Sequence, residues 1–267
     1  MILRRVFGRA PEPADHARIP DGGRVYAVGD IHGRSDLLHL LRELIAADCL
    51  RGSWSSAATV FLGDYVDRGS DSRGVLRVLA DEPFPTHTIF LRGNHEAMML
   101  AFLADAERWT GWLANGGVET LRSYGVPVRD LRRPGGPAEA SRRLQEALPA
   151  SHRKFLGNLQ LSYSVGDYFF CHAGVRPGLP LDRQVEEDLI WIREDFLLSS
   201  AAFGKVVVHG HTPVQEPEIL PNRVNLDTGA YISGRLTCLV LEGATRRFLV
   251  ADATAARRMQ ALPKELP

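Results

Sequence analysis

A pattern that occurs three times early in the chain limits the folds open to it. An apolar, β-branched run is followed by a short loop dense in carboxylate, imidazole and glycine, and then by apolar residues at helical spacing. The first copy is residues 24–28, the loop GDIHG (29–33), and Leu37, Leu40, Leu41, Leu44 and Ile45, with Ser35 placed to cap the helix. The second is residues 59–62, GDYVDRG (63–69) and 75–79; the third is 88–91, RGNHE (92–96) and 97–103. Three consecutive βα units imply a largely parallel sheet. In such a sheet the loops after the strands gather at one carboxyl edge, so motifs distant in sequence converge in space.

GDYVDRG is the densest of these loops. Asp64, Asp67 and Arg68 fall within five residues, where a purely structural loop carries fewer charges and more turn formers. That combination suggests a metal and an anionic substrate. Gly63 lets backbone approach the site, and Gly69 permits the turn into the next helix.

Beyond these units the texture changes. From 105 to about 158, Trp109, Trp112, Leu113, Val118, Leu121 and Tyr124 follow helical or mixed spacing, and RRPGGP (132–137) interrupts it. This predicts a helical insertion with a flexible loop, which either walls a substrate cleft or only covers the sheet. Residues 159–165 and 168–171 alternate around Gly166 and Asp167, a hairpin signal, and the second strand delivers His172. A helix carrying Leu189, Ile190, Trp191 and Arg193 precedes 206–208, which deliver His209, Gly210 and His211. Residues 224–226, 236–241 and 248–250 read as closing strands. The Pro-rich stretch 1–23 reads as a weakly ordered arm, 24–251 as the folded domain and 252–267 as a peripheral charged tail.

Composition removes several classes of function. Lys plus Arg and Asp plus Glu number 32 each, so no global basic field marks a nucleic-acid partner. The N-terminus lacks the apolar core of a signal peptide, and no run approaches the roughly 18 apolar residues of a spanning helix, so no membrane association is expected. Cys49, Cys171 and Cys238 are odd in number and far apart, which fits a reducing compartment, by expectation the cytoplasm.

Five strand-end loops thus supply Asp30 and His32, Asp64 and Asp67, Asn94 and His95, His172, and His209 or His211. Carboxylate, imidazole and amide oxygen together suit divalent manganese, iron or zinc, and no nearby cysteine cluster marks a structural zinc site. A carboxylate shared by two cations about 3.5–4 Å apart is the arrangement for in-line phosphoryl displacement. Asp64 is the central candidate for that bridge.

GDIHG, GDYVDRG, RGNHE, a His-Ala-Gly loop and a Gly-His-Thr loop, in this order over residues 24–230, resemble the phosphoprotein phosphatase family of dimetal phosphoesterases, within the calcineurin-like metallophosphoesterases. The resemblance implies an α/β fold of two facing mixed sheets flanked by helices, with a site for two divalent ions, manganese foremost, at one edge. It implies that Asp30, His32 and Asp64 hold the first ion and that Asp64, Asn94, His172 and His211 hold the second. A water bridging them would be the nucleophile, its pKa lowered from about 15.7 towards about 7. By the same resemblance His95 protonates the leaving oxygen, Asp67 orients His95, and Arg68, Arg193 and Asn94 bind phosphate. His211 is then the ligand and His209 packs or orients, since the two alternate along the strand end. Pro213 stands where the wider superfamily often has a further histidine, leaving the first ion fewer protein ligands.

Ordinary readings stand beside these. Asp67 could cap a helix starting near Ser70, and Arg193 could be an exposed helical arginine. Asp227 could support a ligand histidine or stabilise a turn. His39, His87 and His152 read as surface or packing residues, and Cys171 as core. Intact Asp67 and Glu96 favour the protein phosphatase branch, with phosphoserine and phosphothreonine proteins or peptides as substrate and inorganic phosphate as product. Hydrolysis of symmetrical dinucleoside tetraphosphates and low-selectivity phosphoesterase activity are the alternatives, and a non-catalytic metal-binding module is a further one.

Overall fold

The computed structural model describes residues 17–52 and 54–254. Most of the expected N-terminal arm and C-terminal tail lies outside the described residues. Residues 17–22, assigned to that arm, are packed: Ala17 and Ile19 are buried, and Ile19 N–H donates to Gly243 O at 2.9 Å.

The described strands are β1 (Gly23–Val28), β2 (Ser56–Phe61), β3 (His87–Phe90), β4 (Ser162–Val165), β5 (Tyr168–Cys171), β6 (Val206–His209), β7 (Glu218–Ile219), β8 (Arg223–Asn225), β9 (Arg235–Glu242) and β10 (Thr245–Asp252). They form two five-stranded mixed sheets, ordered β10-β9-β1-β2-β3 and β4-β5-β6-β8-β7. β1, β2 and β3 run parallel, as do β5, β6 and β8; the outer pairings are antiparallel. The helices are α1 (Ser35–Cys49), α2 (Ser72–Asp81), α3 (Asn94–Ala104), α4 (Val118–Ser123), α5 (Gly136–Ala147), α6 (Ala150–Gly157), α7 (Glu186–Trp191), α8 (Glu194–Leu197) and α9 (Ala230–Ser233). No helix among the described residues is long and apolar enough to cross a membrane.

Strand alternation sorts the apolar residues into layers. Val25 and Ala27 of β1, Val60 of β2 and Ile89 of β3 meet Tyr168, Phe170, Val206 and Val208 between the sheets. Tyr26, Val28 and Phe61 point the other way, onto Leu37, Leu41, Val75 and Phe102 of α1–α3. Phe169, Cys171 and Val207 meet Leu189, Ile190 and Phe196 outside the second sheet. Both faces of the central strands are therefore covered, which explains why they read as continuous apolar runs. A slip of one residue would exchange the two faces' side chains, so the register is held by burial on both sides.

Stretch 105–158 contributes Trp112, Leu121, Tyr124, Leu144 and Phe155 to the core beneath the first sheet. Two local expectations change. The N-cap of α1 is Arg34, and the Ser35 hydroxyl instead donates to Asp71 Oδ2 at 2.5 Å; Asp71, not Asp67, caps α2 by accepting Gly74 N–H. Arg193 is not inside a helix: it joins α7 to α8 with φ −131° and ψ −102°, because α7 ends at Trp191.

Candidate metal centre

The carboxyl ends of β1, β2 and β3 face those of β5 and β6 across one edge of the sandwich. Among the described residues, the non-glycine residues with positive φ are His32, Asp64, Asp67, Arg68 and His211, at 44° to 74°, and all lie in these loops. Such conformations cost of order 1–3 kcal/mol each and persist where surrounding bonds over-determine them. Here Ile31 and His32 N–H both donate to Asp64 O, and Gly33 N–H to Tyr65 O. Glu96, one turn into α3, accepts N–H bonds from Asp64 (2.9 Å), Tyr65 (2.7 Å), Val66 (3.2 Å) and Gly93 (3.0 Å). Burial and the Asp64 charge push its carboxyl up to about 8, while the backbone donors act in the opposite direction.

Ligand-type atoms converge inside this frame. His172 Nδ1 donates to Leu62 O at 3.0 Å, which leaves the Nε2 lone pair 3.0 Å from Asn94 Oδ1, 3.2 Å from His211 Nδ1 and 3.4 Å from Asp64 Oδ1. His211 Nδ1 is also 2.9 Å from Asn94 Oδ1. His32 Nδ1 bonds Val66 O at 2.8 Å, and its Nε2, without a hydrogen-bond partner, lies 3.4 Å from Asp64 Oδ2. Acceptors aimed at one another in a buried site repel unless a cation lies between them. Ligand atoms of His32, Asp64 and His95 fall within 4.8 Å of one another, as do those of Asp64, His172 and His211. Burial lowers the pKa of His32, of His211 and of His172, the last to about 3, so the imidazoles are neutral and able to ligate at neutral pH. The residues therefore fit two cations sharing Asp64.

Asp30 stands beside these triplets and accepts His211 N–H at 3.1 and 3.3 Å. Burial and then the Asp227 charge raise its pKa. Of the Asp227 carboxyl oxygens, Oδ1 turns to the backbone and accepts Gly229 N–H at 2.9 Å. His209 is fully buried, edge-on to Phe196 at 5.0 Å, with Nδ1 near Gly210 O. Cys171 is buried and its thiol pKa is raised by burial; His152 is buried against Tyr124 OH, and His87 is exposed.

His95 has two faces. Its Nδ1 lies 2.7 Å from Asp67 Oδ2, and its Nε2 is 3.8 Å from Asp64 Oδ2, which is why it also groups with His32 and Asp64. Asp67 is held from outside the motif: Trp112 Nε1–H donates to Oδ2 at 2.7 Å and Thr120 Oγ1–H to Oδ1 at 2.6 Å. Burial raises the Asp67 carboxyl, with Thr120 and Trp112 opposing; burial lowers His95, with Asp64 opposing.

The two arginines are placed differently. Half-buried Arg68 lies over the Tyr231 ring at 5.1 Å, and Nη1 reaches Tyr231 OH at 3.4 Å. Arg193 is exposed, with Nη1 3.2 Å from Thr212 Oγ1, and its charge is felt by Asp64, His95, His172 and His211. Beside Arg68 opens a groove of about 610 Å³ lined by Asn115, Glu119, Arg122, Tyr231 and the wide turn Leu113–Gly117. That turn breaks at Gly116 (φ 104°), where a Cβ would lie 2.6 Å from Arg68 N, so glycine lets the turn touch the loop that carries Arg68. The 105–158 stretch thus both covers the sheet and walls a cleft.

Sequence reasoning missed Trp112, Thr120 and Tyr231. A tryptophan amid the polar stretch 105–117 was a visible signal for the first; nothing local marks the hydroxyl of Thr120.

A family description, calcineurin-like phosphoesterase, matches residues 23–234. Serine/threonine-protein phosphatase 1 of Salmonella typhimurium is 31% identical over 219 residues, covering 80% of this chain and 89% of that protein. Bis(5'-nucleosyl)-tetraphosphatase PrpE (asymmetrical) of Bacillus velezensis is 26% identical over 234 residues, covering 79% and 86%. The solved structure of a cold-active protein tyrosine phosphatase aligns at a TM-score of 0.53 and 18% identity, covering 87% of this chain and 81% of that one, a likeness of fold.

Proposed function

Because this chain belongs to the calcineurin-like phosphoesterase family, we propose that it is a protein phosphatase, hydrolysing phosphoserine and phosphothreonine monoesters with two divalent ions, manganese foremost. The observation that carries this reading is the 2.7 Å contact of Asp67 with His95 Nδ1, which leaves Nε2 facing the site. A serine or threonine alkoxide is a strong base and leaves only with a proton, whereas a nucleotide phosphate leaves without one. A positioned acid is therefore of most use against an alcohol monoester.

In this reading Asp30, His32 and Asp64 would hold one ion, and Asp64, Asn94, His172 and His211 the other. Bound there, the ions supply activation of a water at neutral pH and neutralise phosphoryl charge. Arg68 and Arg193, with the Asn94 amide, bind the phosphate oxygens, and Tyr231 restricts where the Arg68 guanidinium can point. His95 Nε2–H passes its proton to the leaving oxygen as the ester P–O bond breaks. Asp67 holds the imidazole by Nδ1, so the proton to be transferred stays on Nε2. The groove beside Arg68 receives the peptide around the leaving side chain. The sparse cysteines favour a cytoplasmic setting.

Dinucleoside tetraphosphate hydrolysis is the second reading, favoured by the relative of that name and by an aromatic ring, Tyr231, stacked beside Arg68. The deciding assay compares phosphate release from a phosphothreonine peptide with cleavage of diadenosine tetraphosphate, at matched concentrations with added Mn²⁺. Faster turnover of the peptide is expected. Preference for the dinucleotide would overturn the substrate assignment and leave the two-ion chemistry in place.

A further inference from the structure

Asp227 lies next to the ligand set but outside it, and its geometry is unusual for a turn residue. It is 1% exposed. One oxygen, Oδ1, is committed to Gly229 N–H at 2.9 Å; the other, Oδ2, is buried without a hydrogen-bond partner. Its backbone is fixed on both sides, with Asp227 N–H donating to Asn225 Oδ1 at 3.0 Å and Val214 N–H donating to Asp227 O at 2.9 Å. Gly210 makes room for its approach to Asp30: a Cβ there would lie 2.1 Å from Asp30 Oδ1 and 3.7 Å from Asp227 Cβ.

Asp30 is 2% exposed, and its hydrogen-bond donor is the His211 N–H. The two buried carboxyls meet in a side-chain hydrogen bond, which needs a proton between them unless a cation takes its place. Leaving such charge buried without a partner costs several kcal/mol per ion. A simple turn would be served equally well by asparagine, which keeps the Oδ1 bond without the second charge. An oxygen without a donor beyond a proton shared with a second carboxyl points to a cation in that proton's place.

We propose that Asp227 contributes Oδ2 to the sphere of the ion held by Asp30, His32 and Asp64, as a further carboxylate of that seat. The inference rests on the two-ion reading above. It makes the two seats unequal: one is rich in carboxylate, whereas the other is built from imidazole and amide around the shared Asp64. The carboxylate-rich seat then favours a hard ion such as manganese.

Calorimetric titration of the metal-free protein with Mn²⁺, together with metal analysis, tests this without reference to turnover. Asp227→Asn keeps the Oδ1 bond to Gly229 and removes only the charge. Binding of one Mn²⁺ equivalent should weaken by roughly 10- to 100-fold while the other is unchanged. The metal-free variant should melt about 2–4 °C higher than the parent, because the repulsion between the two carboxylates is gone. Equal binding of both equivalents, or a metal-free variant that melts lower with its titration unaltered, would overturn the role and return Asp227 to the turn. Asp227→Ser, small and able to accept the same N–H, is the second variant and must show the same selective loss if the asparagine form does not fold. A parent protein that binds no Mn²⁺ sinks the two-ion reading and this inference with it; two equivalents bound equally by parent and variant sink only the inference.

Discussion

The two sides proposed for this site, one for metal and one for proton transfer, share a loop but are built by different means. The metal side draws its groups from strand ends of both sheets, and Glu96 and the backbone bonds between loops hold them in strained conformations. The proposed proton side, Asp67 and His95, begins in the same loops, yet Asp67, which contacts His95, is held by Trp112 and Thr120 from the 105–158 stretch. The positions of the proposed ligands therefore follow from sheet geometry, and that of the proposed proton donor from helix packing. Changes to the second should reach turnover without reaching the metal.

The largest effect expected is on the metal side. Asp64→Asn removes the charge common to both triplets, and we expect metal analysis to show loss at both seats, with activity falling to the background of the assay. A variant that kept both ions would end the idea of a shared ligand. On the proton side, His95→Ala should lower turnover by roughly 10² to 10⁴ with metal content intact. Because His95 Nε2 is 3.8 Å from Asp64 Oδ2, loss of an ion in this variant would instead make His95 a ligand and break the division.

Trp112→Phe sharpens the comparison. It keeps an aromatic ring in the core but removes the N–H to Asp67, and kcat should fall roughly tenfold, the lower end of the range for groups that orient a functional side chain. Equal Mn²⁺ titrations of variant and parent are expected, and a change in metal affinity would show that the two sides are not separable. The smallest effect is thermal and falls on the metal side. His172 is held neutral down to about 3, whereas an unfolded histidine takes its proton near about 6.5. Between those values the unfolded chain holds the proton that His172 lacks, so the share of the metal-free protein's stability governed by His172 falls as pH falls through that window, while the raised carboxyls of Glu96 and Asp227 act in the opposite sense. Each 1 kcal/mol of that share would move the melting temperature by roughly 2–4 °C, and a pH profile in chelator with the same slope in His172→Asn as in the parent would show that burial does not hold the imidazole neutral.

Much of the metal side was legible because its groups sit in short blocks directly after apolar runs. An apolar run followed by GDIHG or GDYVDRG announces both the strand and the loop at its end, and parallel connection brings such loops to one edge. Two misreadings were local. Ser35 does not cap α1, because Asp71 from the next loop offers its hydroxyl a carboxylate. Arg193 is not helical, because the chain leaves the α-conformation after Trp191. The first depends on a neighbour far along the chain, which spacing alone does not reveal.

By itself, then, the amino-acid order determined the alternation of strands and helices, the family, and the set of carboxylates and imidazoles brought to one edge. Apolar periodicity and strand-end chemistry are written within a few residues of each other, so they survive without coordinates. Only the tertiary structure decided which side chains hold Asp67 against His95, where the groove beside Arg68 opens, and that Asp227 meets Asp30 in a buried pair of carboxyls. Those outcomes rest on contacts between segments as far apart as Asp67 and Thr120, or Asp30 and His211. They are set by how helices and loops pack on the sheets, and no spacing in one stretch encodes the distance to another.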